Sequence, residues 1–131
     1  MDAPEPEWQV LRTQRPNILL IGSPDMIEAA LAVLRPQLEP PLYEWSSAAA
    51  LPASAGLVTM LIRDVDRLSA DQQQTVLAWL DGAERRHQVQ VVSIAETDPY
   101  PLIERGVFLR RLYYRLNMLR FDASTLTPDG A

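Results

Sequence analysis

Five arginines and no acidic residue lie in the segment Arg105–Phe121. Guanidinium groups pair well with carboxylates and phosphates, so such a cluster is either an interface for an acidic partner or a solvated helix face. The chain as a whole is acidic, with a formal net charge of −5 over 131 residues. A net negative charge opposes contact with the phosphate backbone of nucleic acids, so we expect no direct nucleic-acid binding.

Residue types that carry much of catalytic and metal chemistry are scarce. The chain has no cysteine and no lysine, and its one histidine is His87. This composition excludes disulfides, thiolate zinc sites and cysteine nucleophiles, and it disfavours a histidine metal site. His87 follows two arginines where a helix is predicted to end, so a basic role at that helix end accounts for it.

The turn after the first apolar run stands where a phosphate-binding loop would lie. That loop has the pattern G-x-x-x-x-G-K-[ST], in which backbone N–H groups cradle phosphates and the lysine reaches the β- and γ-phosphates. Here Gly22, Ser23, Pro24 and Asp25 begin the turn, and the second glycine, the lysine and the hydroxyl residue are all absent. Pro24 lacks an N–H, and Asp25 is predicted to cap the helix, which would oppose a phosphate. An ordinary capped helix start and a degenerate nucleotide site both stay open, and we expect neither bound ATP or ADP nor a metal.

Strand and helix patterns alternate along the rest of the chain. Apolar runs predict strands at 17–21, 42–45, 57–62, 88–94 and 118–121. Helix spacing and capping pairs predict helices from Asp25, from Ser69 with Gln72 three residues later, at 102–105 and at 108–115. This alternation predicts a three-layer α/β/α domain with a mostly parallel sheet.

Composition divides the chain into three parts. Residues 1–15 are predicted to be a flexible arm that Trp8, Val10 and Leu11 pin in part to the body, residues 16–122 to be the domain, and residues 123–131 to be a polar tail. No apolar run reaches the roughly 18 residues that span a bilayer, and the acidic N-terminus does not resemble a signal peptide. We therefore expect a cytoplasmic protein without a membrane partner.

Two segments carry a family resemblance. Gly106–Phe121 reads G-V-F-L-R-R-L-Y-Y-R-L-N-M-L-R-F and resembles the G-x-F-R-x-D-L-Y-Y-R-L-N-V pattern of the central AAA+ domain of sigma-54-dependent transcription activators. Thr59–Ser69 reads T-M-L-I-R-D-V-D-R-L-S and resembles that family's T-L-F-L-D-E-I-D-R-L-S. The resemblance implies a trimmed AAA+ core, P-loop NTPase-like, without the helical lid. A receiver-like flavodoxin fold is the structural alternative, which the Leu-Tyr-Tyr-Arg-Leu-Asn segment disfavours.

The resemblance also implies which catalytic positions are changed. In the family, the second catalytic strand ends in an aspartate that holds Mg²⁺ and a glutamate that polarises the attacking water. Arg63 and Asp64 stand at these positions, and an arginine has no acceptor atom with which to bind Mg²⁺. We predict that Arg63 instead pairs with Asp64, Asp66 or Asp25 and fills the emptied space. A metal held by Asp64 and Asp66 alone is the alternative.

A pair of family arginines reaches into the ATP site of the neighbouring subunit. Leu109 stands at the first of these positions and Arg115 at the second. The resemblance therefore implies a trans-acting role for Arg115, and a local ion pair with Glu104 or a role at the helix end is the alternative.

The same segment supplies the predicted interaction surface. Its members are Arg110, Arg111, Tyr113, Tyr114 and Arg115, in which the tyrosines are predicted to pack in the core and at the rim. We expect a non-catalytic pseudo-ATPase domain that acts as a protein-interaction module in transcriptional or signalling control. Its expected partner is a sigma-54-dependent activator or a second copy of the chain. A nucleotide sensor without efficient hydrolysis is the alternative.

Overall fold

One parallel sheet organises the domain. The computed structural model describes residues 9, 11, 13–47, 49–53, 56–86 and 89–126, apart from the side chains of 83–86. The strands are β1 (Ile18–Ile21), β2 (Leu42–Trp45), β3 (Thr59–Ile62), β4 (Gln90–Ala95) and β5 (Leu119–Asp122). They lie in the order β2-β3-β4-β1-β5, and every pairing is parallel. The predicted strands are confirmed, although Gln88 lies outside the described residues.

Four helices with described bounds connect and cover these strands. They are α1 (Pro24–Leu34), α2 (Ala70–Arg86), α3 (Tyr100–Glu104) and α4 (Arg110–Leu116). Short 3-10 turns lie at Arg35–Gln37, Val65–Arg67 and Ala123–Thr125. The predicted helices are confirmed, with α4 beginning two residues later and α3 two residues earlier than their patterns predict.

The strand order decides between the two α/β alternatives. Counted from the β5 edge, the order is 5-1-4-3-2, whereas receiver-like flavodoxin folds have the order 2-1-3-4-5. Here β4 is inserted between β1 and β3. The receiver-like alternative is therefore wrong, and the expected three-layer α/β/α fold is present.

Each face of the sheet has its own apolar core. Side chains alternate along β1, so Leu19 faces one layer while Ile18 and Leu20 face the other. The α1 stripe predicted from helical spacing covers the second face with Ile27, Ala30, Leu31 and Leu34. The predicted stripes of α2 and α4 cover the first face with Val76, Leu77, Leu80, Phe108, Leu112 and Leu116. Both faces of the parallel sheet are thus shielded from water, as such sheets require.

A capping box fixes the start of α2 as predicted. The Ser69 backbone N–H donates to Oε1 of Gln72 at 2.8 Å, and the Gln72 N–H donates to Oγ of Ser69 at 3.2 Å. These reciprocal bonds satisfy two backbone donors that the helix itself cannot pair. They hold α2 at the end of the segment that follows β3.

Asn17 joins β1 to β4 and α4. Its side chain is almost fully buried, Oδ1 accepts from the Val91 N–H at 2.9 Å, and Nδ2 donates to the Arg115 carbonyl at 2.9 Å. A buried amide that uses both its acceptor and its donor fixes the elements on either side of it. Asn17 therefore sets the position of α4 relative to the starts of β1 and β4.

The packed core extends beyond the predicted domain limits of 16–122. Leu11 and Leu126 are both buried in the cluster on the α1 face. Leu11 thus makes the contact expected of it, whereas Trp8, Val10, His87 and residues 127–131 lie outside the described residues. None of the helices in the described ranges has the length and apolar composition needed to cross a bilayer.

Gly22 permits a close contact that a side chain would prevent. A Cβ built on Gly22 would lie 2.6 Å from Cβ of Ala123, whereas one built on Gly82 in α2 would meet nothing within 4 Å. We expect Gly22→Ala to lower the free energy of unfolding by about 1–3 kcal/mol through overpacking. Gly82→Ala is the matched control, and we expect it to raise that free energy by about 0.5–1 kcal/mol because alanine favours helix. Urea unfolding measures both, and a Gly22→Ala protein as stable as the parent would contradict the close packing.

Candidate functional site

Several backbone donors of the turn between β1 and α1 are already engaged. Ser23, not Asp25, is the N-cap of α1, and its Oγ accepts from the Met26 N–H at 3.4 Å. The predicted cap was wrong because Pro24, which suits the first helical position, starts the helix earlier. Asp25 lies in the first turn with its side chain exposed.

These contacts bear directly on phosphate binding. The Gly22 N–H donates to the Ala95 carbonyl at 3.1 Å, and the Ile27 N–H donates to the Ser23 carbonyl at 2.8 Å. Pro24 has no N–H, and the Met26 N–H already donates to Oγ of Ser23. A phosphate cradle needs several converging free donors in an extended loop. The turn here passes from strand to helix through Gly22 and Ser23 alone, so it is a capped helix start.

Arg63 lies at the end of β3 and is paired, but not with the predicted carboxylates. Its Nη1 lies 2.8 Å from Oε2 of Glu28, and its Nη2 lies 3.2 Å from Oε1 of Glu44. The predicted pairing with Asp64, Asp66 or Asp25 is wrong. Strand alternation explains the difference, because Arg63 points to the same face as Leu61, and this is the face that α1 covers.

The Arg63 network continues to the edge of the sheet. Arg35, in the 3-10 turn after α1, donates to the same Glu44 carboxylate that Arg63 contacts. The hydrogen bond from Arg35 and the charge of Arg63 lower the pKa of Glu44, although burial opposes them. Burial alone would lower the pKa of Arg63, but Glu28 and Glu44 outweigh it and raise that pKa. The Arg63 network thus consists of two arginines and two glutamates that connect α1, β2 and β3.

The two aspartates after β3 lie in different surroundings. Asp64 adopts a left-handed backbone conformation with φ 53°, and it is exposed. Asp66 Oδ2 accepts from the Thr97 N–H at 3.5 Å. Within the described ranges, no three histidine, aspartate or glutamate side chains group as metal ligands would.

Arg115 is held inside the molecule by α2. Its Nη1 donates to Oδ1 of Asp81, and Nη2 of Arg111 lies 3.9 Å from the other oxygen of Asp81. The Arg115 side chain is 26% exposed, so the pair is shielded in part from solvent. The local partner predicted for Arg115 was Glu104, and that partner is wrong because α4 packs on α2.

Tyr113 and Tyr114 separate into core and rim as predicted. Tyr113 is buried, and its hydroxyl lies 3.3 Å from Oδ1 of Asp98 and 3.0 Å from Nδ2 of Asn117. Burial and the nearby Asp98 charge raise the pKa of Tyr113. Arg120 completes this group by pairing with the other oxygen of Asp98 at 2.7 Å. Part of the Tyr-Tyr-Arg-Leu-Asn segment therefore serves the interior of the domain.

Sequence reasoning missed Gln73, which positions the segment that leads into α4. Gln73 is buried, and its Oε1 accepts from the Leu109 N–H at 2.8 Å. Its Nε2 donates to the carbonyls of Val107 at 2.9 Å and Leu68 at 3.0 Å. The only signal in sequence was a glutamine on the inward side of an amphipathic helix, since it lies three residues before Val76.

Exposed apolar and basic side chains occur together around α4. Tyr114 is 55% exposed, Met118 is 61% exposed and Val107 is 54% exposed, and the side chains of Arg110 and Arg111 are exposed as well. We call these five residues the α4 surface. Aromatic residues, methionine and arginine are the types enriched at protein interfaces. The predicted Arg110, Arg111 and Tyr114 are thus all exposed, and their spacing of three and four residues puts them on one side of α4.

A family model agrees with the fold and with both motif segments. The model of the sigma-54 interaction domain matches residues 37–126, which is more than half of the 131 residues. The chain belongs to the sigma-54 interaction domain family. Its match includes Arg63, Arg115 and the α4 surface, and it begins after the Gly22 turn. No curated protein sequence matches the chain significantly.

Solved structures share the fold of this sigma-54 interaction domain. NtrX from Brucella abortus in complex with ADP has a TM-score of 0.67 at 16% identity, and the match covers 88% of this chain and 33% of the NtrX chain. The complex of NtrX with ATP has a TM-score of 0.62 at 16% identity, with 88% and 34% covered. The P-loop NTPase domain of the sigma-54 transport activator from E. coli has a TM-score of 0.51 at 16% identity, with 92% and 96% covered. The chain spans about a third of the NtrX chains, and these likenesses establish a P-loop NTPase-like fold.

The Arg63 network makes stability depend on pH in a defined direction. The pKa of Glu44 in the folded protein lies below its ordinary value of 4.5, so its pairing stabilises the fold above that pH and is lost as pH falls through the lower value. We expect Glu44→Gln to lower Tm at neutral pH by at most about 4 °C, because the pair is partly exposed and worth under about 1 kcal/mol.

Thermal melts at neutral pH and near pH 3 test this expectation. The Tm difference between the parent and Glu44→Gln should shrink towards zero at the acidic pH. Glu104→Gln, on α3 and outside the Arg63 network, is the matched control. A difference of equal size at both pH values would show that the pairing of Glu44 does not cause it.

Proposed function

We propose that this sigma-54 interaction domain is a non-catalytic pseudo-ATPase that acts as a protein-interaction module in transcriptional or signalling control. The observation that supports the proposal most is the pairing of Arg63 with Glu28 and Glu44, at the strand end where the family holds Mg²⁺. A guanidinium group there offers donors where a metal needs acceptors. The proposal implies a cytoplasmic protein, since transcriptional control acts in that compartment.

The capped turn supports the same proposal from the phosphate side. ATP hydrolysis by a P-loop enzyme requires a lysine on the phosphates and a coordinated Mg²⁺. The chain has no lysine, and Ser23 and Pro24 leave few donors at the start of α1. We therefore propose that the chain is not an enzyme and has no resident nucleotide or metal.

The α4 surface is the proposed docking surface. Arg110 and Arg111 supply positive charge, and Tyr114 and Met118 supply exposed apolar area beside it. A carboxylate-rich partner surface with apolar contacts would complement this composition. The proposed partner is the AAA+ domain of a sigma-54-dependent activator or a second copy of the chain. Arg115 would act in trans only after leaving Asp81.

The competing function is a nucleotide sensor without efficient hydrolysis. The NtrX structures in complex with ADP and ATP motivate it through their fold, at 16% identity. A ligand that binds only the folded state stabilises it by about 2.7 kcal/mol at a hundredfold excess over Kd. The two proposals therefore predict different effects of added nucleotide on the thermal stability of the protein.

We expect no change in Tm when millimolar Mg-ATP or Mg-ADP is added to the protein. The physical reason is that Arg63 offers no acceptor to a metal and the capped turn leaves few free donors for a phosphate. The AAA+ domain of an active sigma-54-dependent activator is the positive control, and Arg63→Asp tests whether restoring a carboxylate restores a shift. A rise of several degrees in the parent would contradict the proposal and favour the nucleotide sensor.

We expect the double variant Arg110→Ser and Tyr114→Ser to weaken association at least tenfold, or about 1.4 kcal/mol. Arginine and tyrosine often contribute a large share of the binding free energy at protein interfaces, so their loss should weaken binding strongly. Sedimentation velocity measures self-association of the chain alone and its complex with the AAA+ domain of a sigma-54-dependent activator. Tyr43→Ser, on the edge strand β2, is the control. If neither association occurs in the parent, or the double variant associates as the parent does, the proposed docking surface is wrong.

A further inference from the structure

A cavity of about 280 Å³ opens at the amino ends of the strands. Its lining residues are Leu11, Arg15, Pro36, Gln37, Leu38, Glu39, Pro40 and Gln90. They come from the segments before β1 and β2 and from the first residue of β4. In parallel α/β sheets the usual ligand site lies at the carboxyl ends of the strands, where Gly22 and Arg63 are. The cavity therefore lies at the other end of the sheet and is independent of the proposed pseudo-ATPase site.

Arg15 brings an incompletely satisfied cation to the wall of this cavity. Its Nη2 donates to the Val58 carbonyl at 2.7 Å, and its Nε is buried without a hydrogen-bond partner. Among the described residues, no carboxylate oxygen comes within the 4.0 Å of an ion pair. A guanidinium group has five donors, and partly buried charge without a counter-ion is unfavourable. The backbone of Arg15 also adopts a left-handed conformation with φ 49°, which a non-glycine residue rarely does.

The remaining walls restrict the kind of anion that would fit. Leu11 and Leu38 are buried apolar residues, and Pro36 and Pro40 add further apolar surface. The volume lies near the lower end of small-molecule pockets, which run from about 300 to 1,000 Å³. Glu39 brings a negative charge to the same cavity, which opposes any anion and opposes a polyanion such as a nucleotide more strongly than a single carboxylate.

We propose that this cavity binds a small organic monocarboxylate with a short apolar body. The ligand carboxylate pairs with the free donors of the Arg15 guanidinium, because arginine and carboxylate form strong charge-assisted hydrogen bonds. The apolar body contacts Leu11, Leu38 and Pro40. Gln90, buried beneath the cavity, is already engaged, since its Nε2 donates to the Pro16 carbonyl at 2.7 Å.

A matched pair of probes tests the charge without altering the protein. Two-dimensional NMR of the ¹⁵N-labelled chain is recorded during titration with 4-methylpentanoate and, separately, with 4-methylpentanamide. We expect the acid to shift the amides of residues 37–39 and 90 and to bind at least tenfold more tightly than the amide. Tenfold corresponds to about 1.4 kcal/mol. Shifts of equal strength with both probes, or none with either, would overturn the proposal.

A pair of variants then tests Arg15 itself. We expect Arg15→Gln to reduce the acid's affinity to that of the amide, while Arg105→Gln, at an exposed arginine after α3, leaves the affinity of the acid unchanged. The acid and amide comparison on the parent stands even if Arg15→Gln does not fold. If folded Arg15→Gln binds the acid as the parent does, the guanidinium is not the carboxylate partner. Addition of Mg-ATP in place of the acid should leave residues 37–39 unshifted, whatever the outcome at the Gly22 turn.

Discussion

A parallel sheet must be covered on both faces, and this requirement fixes most of the domain. Helix α1 covers one face, and α2 and α4 cover the other. The helical spacing of apolar residues in the sequence predicts the buried stripe of each helix. The strand ends and the turns that leave them are under no such requirement. The residues at those ends can therefore change while the fold persists, which is how a P-loop NTPase-like core can exist here with an arginine at the end of β3.

The Arg63 network shows how the altered strand end is stabilised. A charge with only 27% of its side chain exposed needs counter-ions, and Glu28 and Glu44 supply them from α1 and from the neighbouring strand. The same carboxylate of Glu44 also contacts Arg35. The strand end has thus become a place where three elements are joined by charge. In an ATPase the same place must stay open for a substrate, so the two uses conflict.

Periodicity in the sequence was sufficient for the elements and the layers, because apolar stripes and strand runs are local properties. It was not sufficient for the partners of charged side chains. Arg63 finds Glu28 because strand alternation turns it towards α1, and Arg115 finds Asp81 because α4 packs on α2. Both pairings depend on how elements meet, which spacing within one element does not contain. The predicted N-cap of α1 was wrong for a different reason. Pro24 and Asp25 both suit a helix start, and only the backbone shows at which residue the helix begins.

The Arg115 side chain that is proposed to dock onto a neighbouring molecule is the one that pairs with Asp81 inside the domain. An anion offered by a neighbouring molecule would have to compete with Asp81 for the Arg115 guanidinium, and its binding would remove that ion pair between α2 and α4. Binding of a partner to Arg115 and pairing of Arg115 with Asp81 would then be thermodynamically linked. Binding at the outer surface of α4 would therefore change the contacts of α2, a helix of 17 residues. Such an exchange of partners would couple the outer surface of α4 to α2 without any chemical step.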